Sequence, residues 1–346
     1  MSLNSETYLF YLGHPAHYHN ISRVIEKLAA KGNKIVLVAR GKDVLFDLLQ
    51  GLPYEIIYLK PRIGKGKIAL ITTILKRELI ILRLALKFKP KMMVGTDIVI
   101  THIGKLLGIP SFVLNEDDAK EVPFLAKFGF KYATGVFSPN SCDNSPYDSN
   151  KIGYEGYHEL AYLHPNYFSP DQQKVSSLYG DQEQFFLLRF ASLTAHHDDG
   201  IVGINDDLAR RIIAILEQKG KVWITSEMPL SDEFEQYRIA IPPKEIHHAM
   251  FYASLYIGDS QTMAAEAAVL GTPSLRFNDF VGKLGYLEEL EHKYQLTFGI
   301  PTNQPERLIE KVTEVAENTE RKETWVKRRE EMLSKTIDVT SFWTTY

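Results

Sequence analysis

The sequence predicts an α/β protein of two doubly wound, Rossmann-like parallel-sheet domains facing a cleft. Three observations lead there. Short apolar runs such as "TYLFYL" (7–12) and "KIVLVAR" (34–40) alternate with stretches of helical periodicity. The alternation stops in a turn-rich stretch, "SCDNSPYDSN" (141–150), and resumes beyond residue 170. Late in the second series stands "GDSQTMAAEAAVLGTPSLRF" (258–277), which reads as a strand end, a polar turn, an alanine-rich helix, a glycine stop and another strand.

In chain order, "TYLFYL" runs into "GHPAHYHN", a loop that carries His14, His17 and His19. The helix "ISRVIEKLAAKG" follows and ends on Gly32, where a C-terminal glycine belongs. "KIVLVAR" and "YEIIYL" are the next strands, then "KMMVGTD" and "PSFVLNED" with the helix "IVITHIGKLLG" between them, and "GVFSPN" closes the half. "KIGYEGYHELAYLHPNYFSP" (151–170) mixes glycine and proline with aromatics and reads as the crossing between domains. The second half has strands at "FFLLRFA", "KVWITS", "YRIAI", "LYIGD" and "PSLRF", with helices at "NDDLARRIIAILEQKG" and "PKEIHHAMFYAS". The expected domains are 1–160, joined by a C-terminal helix at 325–346, and 161–324.

The 346 residues suffice for two cores. A net charge of -3 removes the electrostatic signature of a nucleic-acid binder. The single cysteine, Cys142, excludes an intrachain disulfide and reads as an inert thiol in a reducing cytoplasm rather than a nucleophile. No basic leader precedes the first apolar run, so no secretory signal is expected. The apolar segment 67–91 is interrupted by Lys76, Arg77, Glu78 and Arg83, which argues against a bilayer span and for a long helix with one buried face. With Lys65, Lys67, Lys87, Lys89 and Lys91 at its ends, peripheral contact with the inner face of a membrane stays open, as does a homodimer.

The chemistry gathers in a few places. The start of the 261–270 helix offers unpaired N–H groups, the positive end of its dipole and the hydroxyls of Ser260 and Thr262, a setting suited to a diphosphate over residues 260–263, Ser260 to Met263 with Gln261 between. Glu266 shares a face with Thr262, and a ribose diol is a good partner for a carboxylate one turn below a phosphate. The plain alternative is an N-cap serine and a solvated glutamate. Arg189, inside an apolar strand, needs an acidic partner or reaches the diphosphate. Glu116, Asp117 and Asp118 end a strand, where carboxylates suit acid/base work; a solvated acidic turn is the alternative. His14 and His17 suit substrate binding, general-base work or helix capping, and a zinc site lacks diagnostic spacing. His196 and His197 lead a polar cluster with Asp198 and Asp199, fit to face a leaving diphosphate or to turn the chain. His247 and His248 fit packing or solvent exposure on a helix. There is neither a G-x-S-x-G elbow nor a G-x-G-x-x-G fingerprint.

The 258–277 segment resembles the nucleotide-binding segment of GT-B-fold enzymes, and above all that of the non-hydrolysing UDP-N-acetylglucosamine 2-epimerases. The resemblance implies that Ser260 holds a diphosphate and Glu266, six positions later, a ribose; a glycine pair of that family is Gln261-Thr262 here. "VGTDIVITHIGKLLGIPSFVLNEDD" is similar to an epimerase stretch that places Asp97 and Glu116 near functional carboxylates, and "FFLLRFASLTAHHDDG" to a strand leading into a histidine-bearing cleft loop, with His196 or His197 in that position. The chain also resembles an uncharacterised microbial family of GT-B-like proteins through "GYEGYHELAYL" and "LLRFASLTAHHD". An opening arginine-proline-glutamate loop and a lysine of the epimerases are replaced by "GHPAHYHN".

The expected activity is therefore glycosyl transfer from a UDP-sugar substrate, without a metal or a permanently bound cofactor, to a glycan or lipid-linked acceptor in surface polysaccharide or glycan biosynthesis. The catalytic candidates are His14, His17, Asp97, Glu116 and His196. The alternatives are a sugar-nucleotide epimerase and a non-catalytic binder of nucleotide sugars.

Overall fold

The computed structural model describes residues 5–41, 43–60, 66–190, 203–226 and 229–346. They form two compact units, Met1–Tyr167 with Ile337–Tyr346, and Phe168–Thr336. The sequence reading places these divisions at 160/161 and at 325; the compact units divide at 167/168 and 336/337.

The first unit begins with β1 (Thr7–Leu12), α1 (Pro15–Ala30), β2 (Lys34–Arg40), α2 (Asp43–Leu49) and β3 (Glu55–Leu59). α3 (Gly66–Phe88), β4 (Met92–Gly95), α4 (Ile98–Leu107), β5 (Ser111–Leu114), α5 (Pro123–Phe128), β6 (Gly135–Pro139), β7 (Lys151–Tyr154) and the short α6 (Leu160–Leu163) follow. The strands form one parallel sheet in the order β3-β2-β1-β4-β5-β6-β7. Continuous burial along β1 and β2 is what a parallel sheet covered on both faces demands. Leu9, Tyr11, Val36 and Val38 pack with Ile81 and Ala85 of α3 and Val99 and Ile103 of α4. The stretch 151–170 is less of a crossing than its composition suggests, because its first four residues pair with β6 as a seventh strand.

α1 starts earlier than its periodicity indicates. Pro15 presets the first helical φ, and His14 caps the helix by accepting from the Ala16 N–H at 3.3 Å. His17 and His19 are therefore helical residues rather than loop residues.

The second unit carries β8 (Phe185–Phe190), α7 (Asp206–Leu216), β9 (Lys221–Ser226), α8 (Ile246–Tyr252), β10 (Tyr256–Gly258) and α9 (Gln261–Leu270). β11 (Ser274–Phe277), α10 (Gly285–His292), β12 (Thr297–Ile300), α11 (Pro305–Glu317) and α12 (Arg321–Lys335) complete it. Its parallel sheet has the order β12-β11-β10-β8-β9. Gly271, in the left-handed region at φ +82°, ends α9. α12 belongs to this unit: Trp325 donates to the Leu296 carbonyl at 3.0 Å and Arg329 to the Val269 carbonyl at 2.9 Å. Only the last turn, α13 (Val339–Trp343), returns to the first unit, where Asp338 accepts from the Tyr167 hydroxyl.

The expected strand at "YRIAI" does not form. A 3-10 turn over Asp232–Tyr237 takes up the first residue of this stretch, and one isolated bridge between Ile224 and Arg238 is left. Among the described residues, no helix is long and apolar enough to cross a membrane.

Candidate functional site

In doubly wound sheets the strand order reverses at a switch point, and loops diverge there at the carboxyl ends of the strands to leave a crevice. The second unit reverses between β8 and β10. Arg189, near the end of β8, is in register with Gly258, the end of β10. Asp259, Ser260 and α9 follow directly.

Gly258 is required by this approach. A Cβ there would lie 2.6 Å from the Tyr256 hydroxyl, 2.8 Å from the Arg189 Cβ and 2.9 Å from the Arg189 carbonyl oxygen. Arg189 is 9 % exposed and donates from Nη1 to Thr225 Oγ1 at 3.2 Å. The Tyr256 hydroxyl is buried beside Gly258. Burial pushes its pKa well above the ordinary value; Arg189 opposes that rise, while Asp259 and Glu266 add to it.

Ser260 caps α9, its Oγ accepting from the Met263 N–H at 3.4 Å. Gln261, Thr262 and Met263 are half-buried at the helix start. The alanines let α9 lie close to the sheet: Ala264, Ala265, Ala267 and Ala268 are all fully buried. Glu266 is not a solvated helix residue. It is 5 % exposed, and its Oε1 accepts from His247 Nε2 at 2.9 Å.

His247, for which the sequence suggests packing or solvent exposure, is buried on α8, its ring nearly perpendicular to that of Phe168 with centroids 6.4 Å apart. His248 beside it turns elsewhere, accepting from the Asp171 N–H at 3.0 Å. Burial and the nearby Lys174 lower the His248 pKa. The only signal in the sequence was a histidine pair on the helix before β10.

The first unit reverses between β1 and β4. His14 and His17 stand at the start of α1, their ring centroids 6.1 Å apart, and His17 Nδ1 accepts from the Gly13 N–H at 3.2 Å. Across the switch point Asp97 caps α4, accepting from the Val99 N–H at 3.2 Å. Its Oδ2 lies 3.5 Å from Arg40 and 3.9 Å from Arg77. These two arginines went unnoticed in the sequence as site residues; they bring cationic charge to the edge where "GHPAHYHN" lacks it.

Glu116 lies two residues beyond β5, the strand that pairs with β4, and meets His158. His158 Nδ1 is 3.3 Å from Glu116 Oε2 and 3.3 Å from Asn20 Nδ2. Burial pulls the His158 pKa down to about 3, so the ring is neutral at pH 7 and meets Glu116 as a dipole. Asp117, next in the chain, is pushed up to about 6 by burial and by the carboxylates of Asp118 and Glu121. Cys142 is buried, and burial raises its thiol well above the usual range, as suits an unreactive side chain.

His196 and His197 lie outside the described residues. Among those described, no three histidine, cysteine, aspartate or glutamate side chains converge as a metal-binding group. A cavity of about 630 Å³ among Tyr179, Phe251, Gly271 and Arg321 opens at the amino ends of the strands of the second sheet and contains none of the expected site residues.

Comparison with solved structures identifies the fold as GT-B, two Rossmann-like domains in one chain. A putative UDP-N-acetylglucosamine 2-epimerase from Listeria monocytogenes aligns with a TM-score of 0.64 at 14% identity, covering 93% of this chain and 91% of that one. LpCGTa in complex with UDP aligns at 0.63 and 12%, covering 99% and 97%. The spinosyn rhamnosyltransferase SpnG complexed with thymidine diphosphate aligns at 0.61 and 14%, covering 98% and 99%. At such identities the likeness is one of fold. Comparison with curated protein sequences returns no match. One family does match, over residues 10–295, and the chain belongs to it: "Protein of unknown function (DUF354)".

Proposed function

We propose that this protein is a GT-B glycosyltransferase that takes a nucleoside diphosphate sugar, UDP-linked, and transfers the sugar to a hydroxyl of a glycan or lipid-linked acceptor. Its setting is cytoplasmic assembly of a surface polysaccharide or glycan. The observation that carries this reading is the arrangement at the β8/β10 switch point. A capped helix start stands beside buried Arg189, and one turn below it a buried carboxylate, Glu266, is oriented by His247.

In this reading the diphosphate meets the N–H groups of α9, the hydroxyls of Ser260 and Thr262, and the Arg189 guanidinium. These groups stabilise the negative charge that grows as the glycosidic bond to phosphate breaks, so no metal is required. Gln261 and Met263 contribute backbone donors. Glu266 accepts from the ribose hydroxyls. A base from the first unit, Glu116 or the His14/His17 pair, takes the acceptor proton as the acceptor oxygen bonds to the sugar carbon. His196 is proposed as a further cationic group that stabilises the leaving diphosphate.

A second reading, a non-hydrolysing UDP-sugar 2-epimerase, is favoured by one observation: Asp97 is a carboxylate at the β1/β4 switch point, set between Arg40 and Arg77. In that case Asp97, Glu116 and His196 supply the acid and base groups.

Titration calorimetry with UDP, UDP-N-acetylglucosamine and GDP, each with and without Mg²⁺, tests the shared premise. Saturable UDP binding that ignores Mg²⁺ supports it, and no binding to any nucleotide overturns it. Incubating UDP-N-acetylglucosamine in D₂O then separates the readings. Deuterium at the sugar C2 marks an epimerase, acceptor-dependent UDP release marks a transferase, and neither marks a non-catalytic binder.

A further inference from the structure

The outward face of α3 breaks the usual rule for a helix packed on a sheet. Its inner face is buried in the core through Ile81 and Ala85. The outer face should then be polar. Instead Ile68 is 80 % exposed, Ile71 56 %, Leu75 53 %, Leu79 54 % and Leu86 59 %. The spacing of three to four residues, interrupted only between Leu79 and Leu86, keeps them in one stripe, which at 1.5 Å per residue runs about 27 Å.

The charges α3 itself exposes on this face are positive. Lys76 and Arg83 are exposed among the apolar residues, and Lys87, at the end of the helix, lies 3.7 Å from Glu55 of β3. The only acidic residue of α3, Glu78, is turned inward to His102 Nδ1 at 2.6 Å. His102 also joins the stripe to its neighbours, through the Phe128 carbonyl at 2.7 Å and the Tyr132 ring at 5.3 Å. There the pattern repeats: Phe124, Phe128 and Tyr132 are exposed, with Lys127 over the Phe128 ring and Lys131 over the Tyr132 ring.

We propose that this face of the first unit is a docking surface for an anionic lipid membrane, with α3 lying in the interfacial plane. Protruding aliphatic side chains enter the acyl boundary, aromatic rings sit at headgroup level, and lysine and arginine meet lipid phosphates. Charge decides against a second copy of this chain as the occupant. A symmetric contact would set cations against cations with no exposed carboxylate of α3 to relieve them. The inference is independent of the nucleotide chemistry proposed for the second unit.

The test is co-sedimentation of the full chain with vesicles of phosphatidylcholine alone and of phosphatidylcholine with about one third phosphatidylglycerol. The expected result is binding to the anionic vesicles only, weakened between 0.1 and 0.5 M NaCl by screening. The double variant Leu75→Glu/Leu79→Glu should lose roughly tenfold or more of the binding, and Lys76→Glu/Arg83→Glu a comparable amount. Both pairs are solvent-facing, so thermal unfolding and UDP titration should match the unsubstituted protein. No binding to anionic vesicles, or undiminished binding by the Leu75→Glu/Leu79→Glu variant, would overturn the proposal. So would a dimer in sedimentation velocity that this variant splits while vesicles bind neither form, since the face would then belong to a second copy.

Discussion

His247 and Glu266, nineteen residues apart on different helices, meet at 2.9 Å inside the second unit. Each is under a tenth exposed. The pair sets the direction of the buried carboxylate of α9, to which the proposed function assigns the ribose. A carboxylate that accepts from both ribose hydroxyls gives UDP an advantage over 2′-deoxy-UDP of roughly tenfold or more, since hydrogen bonds to charged groups contribute about 1.5–3 kcal/mol. Glu266→Gln should abolish that discrimination, and His247→Ala should reduce it. Calorimetry with both nucleotides decides the matter. Equal discrimination by Glu266→Gln and the unsubstituted protein would rule out the ribose assignment.

Gly258 is held against Arg189 and Tyr256 more tightly than any Cβ tolerates. Gly258→Ala should cost about 1–3 kcal/mol of stability by overpacking and, by moving Arg189, weaken UDP binding as well. Urea unfolding and UDP titration are the two measurements. Unchanged stability would mean that β8 and β10 are not in such close contact.

Asp117 is raised to about 6, so its ionisation opposes folding. The protonated form suits the folded site, and this contribution is full below about pH 4 and lost as pH rises through about 6. Asp117→Asn should therefore stabilise the protein by about 2 kcal/mol at pH 7.5 and leave stability at pH 4 little changed. Denaturant unfolding at the two values is the check, and an equal effect at both would contradict the burial argument.

Asp338 runs the other way. Burial raises its pKa, but hydrogen bonds from the Ser341 N–H, the Tyr167 hydroxyl, Asn166 and the Ser341 hydroxyl outweigh that and bring it down to about 2. Stability from these bonds is present above about pH 4 and fades as pH falls through about 2. Asp338→Asn keeps a competent helix cap yet should cost about 2 kcal/mol at pH 7, a loss that shrinks in acid. Thermal unfolding across pH 2.5–7 would show the convergence; parallel curves would count against it.

Much of the fold could be read from the chain because parallel strands buried on both faces leave unmistakable apolar runs. "TYLFYL", "KIVLVAR" and "KVWITS" coincide with β1, β2 and β9 to the residue. "YRIAI" has the same look but stays a single bridge, since the 3-10 turn before it runs through Tyr237. α1 begins at Pro15 because its cap is a histidine, outside the usual capping residues. The helix start at Ser260 after β10 was likewise visible, since a helix start after a strand is a local feature.

What the sequence determined by itself is what neighbouring residues decide among themselves: the βα alternation, the Ser260 cap, the glycine stop of α9 and the absence of a disulfide. Tertiary structure alone decided which side chains separated in sequence meet. It brought His247 to Glu266, Arg189 to Gly258, Arg40 and Arg77 to Asp97, and His158 to Glu116. It also left one apolar stripe of α3 facing outward, where composition shows only that the helix is apolar. The reason is physical: periodicity records which face of an element is apolar, whereas the partner of a polar group depends on sheet order and register, which no short stretch of sequence contains.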